Sequence, residues 1–308
     1  MRRSETPPPG LQDRYAGALL GLACGDALGT TVECKPRGSF RPLTTMVGGG
    51  PFQLAPGQWT DDTSMPMCLA ESLIERRYDV GDQMQRFVRW WREGYWSSTG
   101  RCLGIDRTTR EALTRFERSG SPYSGSTEAD TAGNGAVVRM APVALFFHPS
   151  EDDVLRYAAD HASTTHGAPA AVESCQLLAL ALSRAIGGVG KEMLLDGALG
   201  WLRVDEVAAI AAGEFRTKPV ERIRASDRAV ESLEAALWCV HHAATFAETV
   251  LAAANLGEDA DTTAAIAGQL AGALYGVEAI PGQWRQMLHR SEEILSLARR
   301  LYGASRTR

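Results

Sequence analysis

The sequence predicts an all-α fold, a compact single helical domain whose polar site lies where helix ends converge. Three observations carry that prediction. Apolar residues recur at three- and four-residue spacing in segment after segment, which is the period of a buried helical face. No strand series or βαβ alternation interrupts them, and Val and Ile are sparse beside Ala and Leu, a balance that favours helix. Acidic and hydroxyl side chains gather in two short stretches, each of which opens an apolar helix.

Taken in order, residues 1–10 read as a disordered tail and 11–303 as the folded domain. Leu11–Leu28 is a helix with Tyr15, Leu19, Leu22 and Ala23 on one face, and its glycines and alanines suit close packing. It delivers Asp26 and, beyond Gly29, Glu33 as polar groups at the end of an apolar element. Pro36–Pro56 is rich in Gly and Pro and reads as a long loop, a length that often serves function. Trp59-Thr60-Asp61-Asp62-Thr63 then leads into a helix through Met65, Leu69 and Leu73, with Pro66 expected in its first turn. Val80–Trp91 is amphipathic, Gly94–Asp106 irregular, and Thr108–Arg118 helical. Ser119–Thr131 is a second loop.

Gly133-Asn134-Gly135 places a flexible backbone rich in N–H donors before an apolar helix, where it could hold a phosphate or ribose. Arg139 stands among Val and Met and, if buried, needs a carbonyl or anionic partner. Asp152–Asp160 and Gly167–Ala185 are helices around a connection that ends in His166, beside Ser163, Thr164 and Thr165. Leu194–Ala212 holds a further helix or two, and Ser226–Leu256 one or two long ones. Trp284–Leu301 reads as a closing amphipathic helix.

The densest polar feature is Glu258–Thr263, with three carboxylates and two threonines in six residues, followed by Ile266, Leu270 and Leu274 at helical spacing. Capping accounts for one such side chain at a helix start. It does not account for Asp259, Asp261 and Thr262 together, because converging carboxylates repel and call for a compensating cation. Thr60, Asp61 and Asp62 repeat the arrangement upstream. An oxygen-only donor set suits magnesium, manganese or calcium and not zinc.

Composition narrows the function classes. In 308 residues, 44% hydrophobic content supplies ample core. A net charge of −5 argues against general nucleic-acid binding. No run reaches the roughly 18 apolar residues of a membrane span, and the N-terminal stretch lacks the apolar core of a secretory signal. The six cysteines are scattered without CxxC, so free thiols in a reducing cytoplasm are expected. The expected state is a cytoplasmic monomer.

The ordered set GDALG with Glu33, QWTDDT, RCLGIDRTT, AGNGAVVRMAP, His166 before a helix, and NLGEDADTTAAIAGQLAGALYG resembles the ADP-ribosylglycohydrolase family. The resemblance covers about Tyr15 to Gly276, and WTDDT with the GEDADTT block is its most specific part. It implies a compact all-α protein with two divalent cations, Mg2+ or Mn2+, at the base of a cleft. The implied metal ligands are Thr60, Asp61, Asp62, Asp259, Asp261 and Thr262. Gly133, Asn134, Gly135 and His166 would line the diphosphate and ribose pocket, and Asp26 would support the site. Glu33 falls where some members carry a mobile glutamate, and the general base is left among Asp62, Glu33 and Asp106.

One departure stands out: relatives reading CFDIG have an aspartate where this chain has Gly104, and an acid returns at Asp106. The implied activity is metal-dependent removal of ADP-ribose from a modified acceptor, foremost protein arginine, with ADP-ribose as product. Serine, small-molecule or nucleic-acid-end linkages, or a non-catalytic ADP-ribose-binding relative, are the alternatives.

Overall fold

The computed structural model describes residues 8–308, and regular structure within them is entirely helical. Residues 1–7, most of the expected tail, lie outside the described residues. Among the described residues, β pairing is limited to three isolated bridges.

Two helices form the centre. Helix α1 (Leu11–Gly29) is buried from Arg14 to Gly29, as expected of a helix apolar on nearly all sides. It packs along helix α11 (Ala260–Tyr275) more extensively than any other two elements pack. Small residues permit this. A Cβ on Gly21 would fall 2.3 Å from the Gly268 carbonyl oxygen, and one on Gly268 would fall 2.2 Å from that of Gly21. The two backbones therefore touch where other side chains would hold them apart.

Helices α2 (Asp61–Arg76) and α13 (Ser291–Ser305) flank α1, and α9 (Ala229–His242) and α10 (Phe246–Ala254) flank α11. Helix α3 (Val80–Glu93) covers α2 and carries α4 (Arg107–Ser119) beside it. Helix α5 (Ala141–Phe147) joins α2 to the pair α6 (Glu151–Ala162) and α7 (Pro169–Ile186). The short helices α8 (Asp205–Ala211) and α12 (Gly282–Met287) complete the set. Buried Arg14 donates to the carbonyls of Ala185, Ala273 and Leu274, so one guanidinium satisfies the C-terminal ends of α7 and α11.

Several local expectations need correction. Pro66 is the sixth residue of α2, past the first turn, and it leaves the Asp62 carbonyl without an N–H four residues on. Residues 132–140 are turns, and helix begins only at Ala141. There the Gly135 carbonyl accepts from the Arg139 side chain at 2.7 Å, so a side chain takes the place of a helical amide. In 194–212 the expected further helix or two is one α-helix, α8, preceded by 3₁₀ turns around Gly197 at φ +73°. The closing segment is two helices, broken at Leu288–Arg290, where Arg290 has φ +50° and the His289 amide donates to the Gly57 carbonyl at 2.9 Å.

Candidate functional site

The C-terminal end of α1 meets the N-terminal ends of α2 and α11, and the two acidic stretches come together there. A Cβ on Gly29, the last residue of α1, would lie 2.5 Å from the Asp261 Cα. Asp26, fully buried, accepts from the Thr60 amide at 3.1 Å, the Thr60 hydroxyl at 3.1 Å and the Thr63 hydroxyl at 2.7 Å. Thr60 is in turn the N-cap of α2. Asp26 thus fixes the start of α2 on the end of α1. Burial pushes its carboxyl up to about 6, against the pull of those hydroxyl and amide donors.

Glu33 reaches the site through a loop pairing. The Cys34 amide donates to the Glu258 carbonyl and the Glu258 amide to the Lys35 carbonyl, both at 2.8 Å. This ties the turn after α1 to the turn before α11. Carboxylate oxygens of Glu33, Asp259 and Asp261 all lie within 4.8 Å of one another. Asp61 and Asp62 begin α2 beside them, outside that mutual group.

The electrostatics follow from this convergence. Burial, followed by neighbouring carboxylates, holds Asp61, Asp62 and Asp259 well above the usual carboxylate range. Burial and then the Glu33 carboxylate do the same to Asp261. Burial pushes Glu33 up to about 8, with the contact to Asp261 pulling the other way. Glu33 Oε2 and Asp62 Oδ2 are buried without a hydrogen-bond partner. Five carboxylates with two orphaned oxygens and no buried base among them make a poor hydrogen-bonded core and a good hard-cation site. Thr262, buried at the start of α11, and Thr60 add hydroxyl oxygens. The donor set fits divalent cations such as Mg2+ or Mn2+.

A cavity of about 330 Å³ opens beside this cluster, with Asp106, Gly133, Asn134, Gly135, Asp227 and Arg228 among its lining residues. Asn134 links it to the acids, since its side-chain amide donates to Asp259 Oδ2 while its backbone amide donates to the Asp227 carbonyl. His166 is fully buried behind Gly133 and Gly135, its Nε2 unpartnered and 3.8 Å from Asp106 Oδ1. Asp106 caps α4, accepting from the Thr109 amide at 2.8 Å. Gly104 has φ +82°, and a Cβ there would lie 1.9 Å from Asp61 Oδ1. Sequence reasoning had singled out neither Asp227 nor Arg228; an aspartate in the turn before an apolar helix, as at Asp259, was the available signal.

The ADP-ribosylglycohydrolase family model matches residues 7–308. The chain belongs to the ADP-ribosylglycohydrolase family. It is 44% identical to the ADP-ribosylarginine hydrolase Tri1 of Serratia proteamaculans, over 94% of this chain and 79% of that protein. It is 45% identical to the protein of the same name from Pseudomonas putida, over 96% and 80%. The ADP-ribosyl-[dinitrogen reductase] glycohydrolase of Rhodospirillum rubrum is 34% identical over 91% and 92%. A solved structure titled ADP-ribosylglycohydrolase-related protein complex superposes with a TM-score of 0.86 at 44% identity, covering 96% of this chain and 99% of that one. The expectation from the sequence holds at this level: the chain is an ADP-ribosylglycohydrolase, a hydrolase of ADP-ribosyl linkages. No helix among the described residues is long and apolar enough to cross a membrane.

Proposed function

We propose that this hydrolase releases ADP-ribose from ADP-ribosylated protein arginine, using two divalent cations held between the starts of α2 and α11. The observation that carries this reading is the convergence of Glu33, Asp259 and Asp261 beside Asp61 and Asp62, next to a pocket floored by Gly133-Asn134-Gly135. The names of the relatives at 44% and 45% identity support arginine as the acceptor. Thr60, Asp61, Asp62, Asp259, Asp261 and Thr262 are the proposed ligands.

Bound there, divalent cations supply Lewis acidity toward the ribose hydroxyls and lower the pKa of water. The protein's own groups do the rest. The Gly133 and Asn134 amides are engaged by the Thr131 and Asp227 carbonyls, so the Gly135 amide and the His166 ring are the groups that face the diphosphate, and Asn134 keeps that wall in register with Asp259. Glu33 and Asp62 each retain a buried oxygen without a partner, which supports them as the groups that orient the attacking water and accept its proton. One oxygen of Asp106 is engaged in capping α4, and its position on the pocket wall supports contact with substrate over proton transfer. The expected cytoplasmic monomer is kept as part of this proposal, since a single chain supplies all six proposed ligands and the site needs no second copy.

The test compares release of ADP-ribose from arginine-linked and serine-linked peptides in magnesium, for the native protein and the Asp61→Asn/Asp62→Asn variant. Release from the arginine linkage is expected, reduced about 10²-fold or more in the variant. Release from serine alone overturns the acceptor assignment, and full activity in the double variant overturns the metal role.

A further inference from the structure

Behind the pocket lies a buried polar chain that the reaction as described does not use. Arg139 is fully buried in the core next to the ring of Phe87, and no carboxylate lies within ion-pair distance of it among the described residues. Its guanidinium donates to the Gly135 carbonyl at 2.7 Å, to His161 Nε2 at 2.9 Å and to the Thr165 hydroxyl oxygen. The Thr165 oxygen is also 2.8 Å from His166 Nδ1. On the far side His161 Nδ1 is 2.8 Å from Gln83 Oε1.

Donor bookkeeping orders every proton in this chain. A guanidinium only donates, so His161 Nε2 accepts and His161 carries its proton on Nδ1, toward the Gln83 carbonyl oxygen. The Thr165 oxygen likewise accepts from Arg139. Its own O–H then has a single neighbour able to accept it, His166 Nδ1. Were Nδ1 protonated instead, the Thr165 O–H would have no acceptor inside the protein, whereas a proton on Nε2 is directed toward the Asp106 carboxylate, 3.8 Å away on the pocket wall, where a bound anion can accept it. The proton of His166 therefore sits on Nε2, the buried atom without a partner, which faces Gly133, Gly135 and the Asp106 carboxylate. Burial keeps the ring neutral, with its pKa lowered to about 4; the Asp106 carboxylate pulls upward against burial, and the Arg139 charge adds a smaller downward push.

We propose that Arg139 and Thr165 are positioning residues that lock His166 as a neutral Nε2–H donor for a phosphoryl oxygen of the substrate's diphosphate. The inference rests on the reading that the Gly133–Gly135 pocket takes that diphosphate. Arg139 does two things at once. It fixes the tautomer through Thr165, and it pins the Gly135 carbonyl, so that the histidine ring and Gly135 are held in one rigid wall. Its unpaired charge behind the ring also favours an anion in front of it.

Long-range 1H–15N correlation on the ligand-free protein in magnesium buffer reads the tautomer directly. His166 is expected to show a protonated Nε2 and an unprotonated Nδ1, unchanged in Thr165→Ser and lost to a tautomer mixture in Thr165→Val. ADP-ribose binding by calorimetry supplies the second readout. Thr165→Val is expected to weaken binding about 10-fold, Thr165→Ser less than 2-fold. In a His166→Gln background, where an amide N–H has no tautomer to fix, Thr165→Val is expected to change affinity less than 2-fold. A His166 protonated on Nδ1, or an equal loss in both backgrounds, overturns the positioning role alone. Failure of the native protein to bind ADP-ribose overturns this inference together with the pocket reading on which it stands.

Discussion

At the residue scale, the acids of this site are held against their own preference. Asp261 is buried against Glu33, and both carboxyls are shifted upward by burial and by their neighbours. Such a group weakens the metal-free fold near neutrality and stabilises it only through a bound cation. Asp261→Asn is therefore expected to raise the metal-free melting temperature by roughly 2 °C or more at pH 8, while removing most of the gain from added Mg2+. Differential scanning fluorimetry with and without chelator checks both halves, and a lower metal-free melting temperature counts against the strain argument. Gly104 makes a second residue-level case. Its carboxylate-bearing counterpart in the CFDIG pattern cannot simply be restored, because the backbone sits at φ +82° and a Cβ would collide with Asp61 Oδ1. Gly104→Asp is expected to cost about 1–2 kcal/mol for the left-handed conformation, and to weaken Mg2+ binding by displacing Asp61. A variant that keeps stability and binds Mg2+ more tightly contradicts this account. The sequence made the site legible as residue types: Asp61, Asp62, Asp259 and Asp261 stood out because no helix start needs so many acids. Asn134 bonding to Asp259 left no trace in the sequence, because a contact between distant segments has no local signature; Thr165 and His166 are neighbours, but the direction of their bond is set by Arg139, which comes from another segment.

At the scale of elements, the site depends on how closely α1 and α11 approach. Their paired glycines bring backbone to backbone, and that approach sets where α11 presents Asp259 and Asp261 relative to α2. Gly268→Ala inserts a methyl group where 2.2 Å is available. It is expected to destabilise the protein by about 1–3 kcal/mol and to reduce activity out of proportion to the unfolded fraction, since the helix starts shift. Thermal unfolding and the rate per folded molecule measure the two effects, and an unchanged rate per folded molecule contradicts the geometric claim. Helix identity was legible from apolar spacing, and α1, α2 and α11 fall where that spacing puts them. The ends were harder to read. The break at Leu288–Arg290 comes from the His289 amide pairing with Gly57, and the delayed start of α5 from Arg139 occupying the Gly135 carbonyl. Both are tertiary partners that override local propensity.

At the scale of the whole molecule, the fold holds together two patches of like charge whose repulsion is relieved by protonation or by a cation, and this ties stability to pH. The Glu33 carboxyl has a folded pKa of about 8, above its unfolded value. Its contribution to stability is complete below about pH 4 and is lost as pH rises through about 8. His166 acts in the opposite sense: its folded pKa of about 4 lies below the unfolded value, so its contribution is lost as pH falls below about 6.5. Cations act on the carboxylates. The rise in melting temperature on adding Mg2+ or Mn2+ is therefore expected to grow steadily from pH 5 to pH 8. A metal effect of equal size at both ends contradicts it. The all-α class was readable because helical periodicity runs nearly throughout, whereas the pairing of WTDDT with GEDADTT was implied by family resemblance and not by either stretch alone.

Our proposal is that these two stretches form one metal site that drives cleavage of an ADP-ribosyl linkage. It is tested most directly by the rate of ADP-ribose release from an arginine-ADP-ribosylated peptide, measured after exhaustive chelation and then across a Mg2+ titration. No release above background is expected in the chelated protein, and recovery of the full rate is expected on adding Mg2+. Release at the same rate before and after chelation would contradict it.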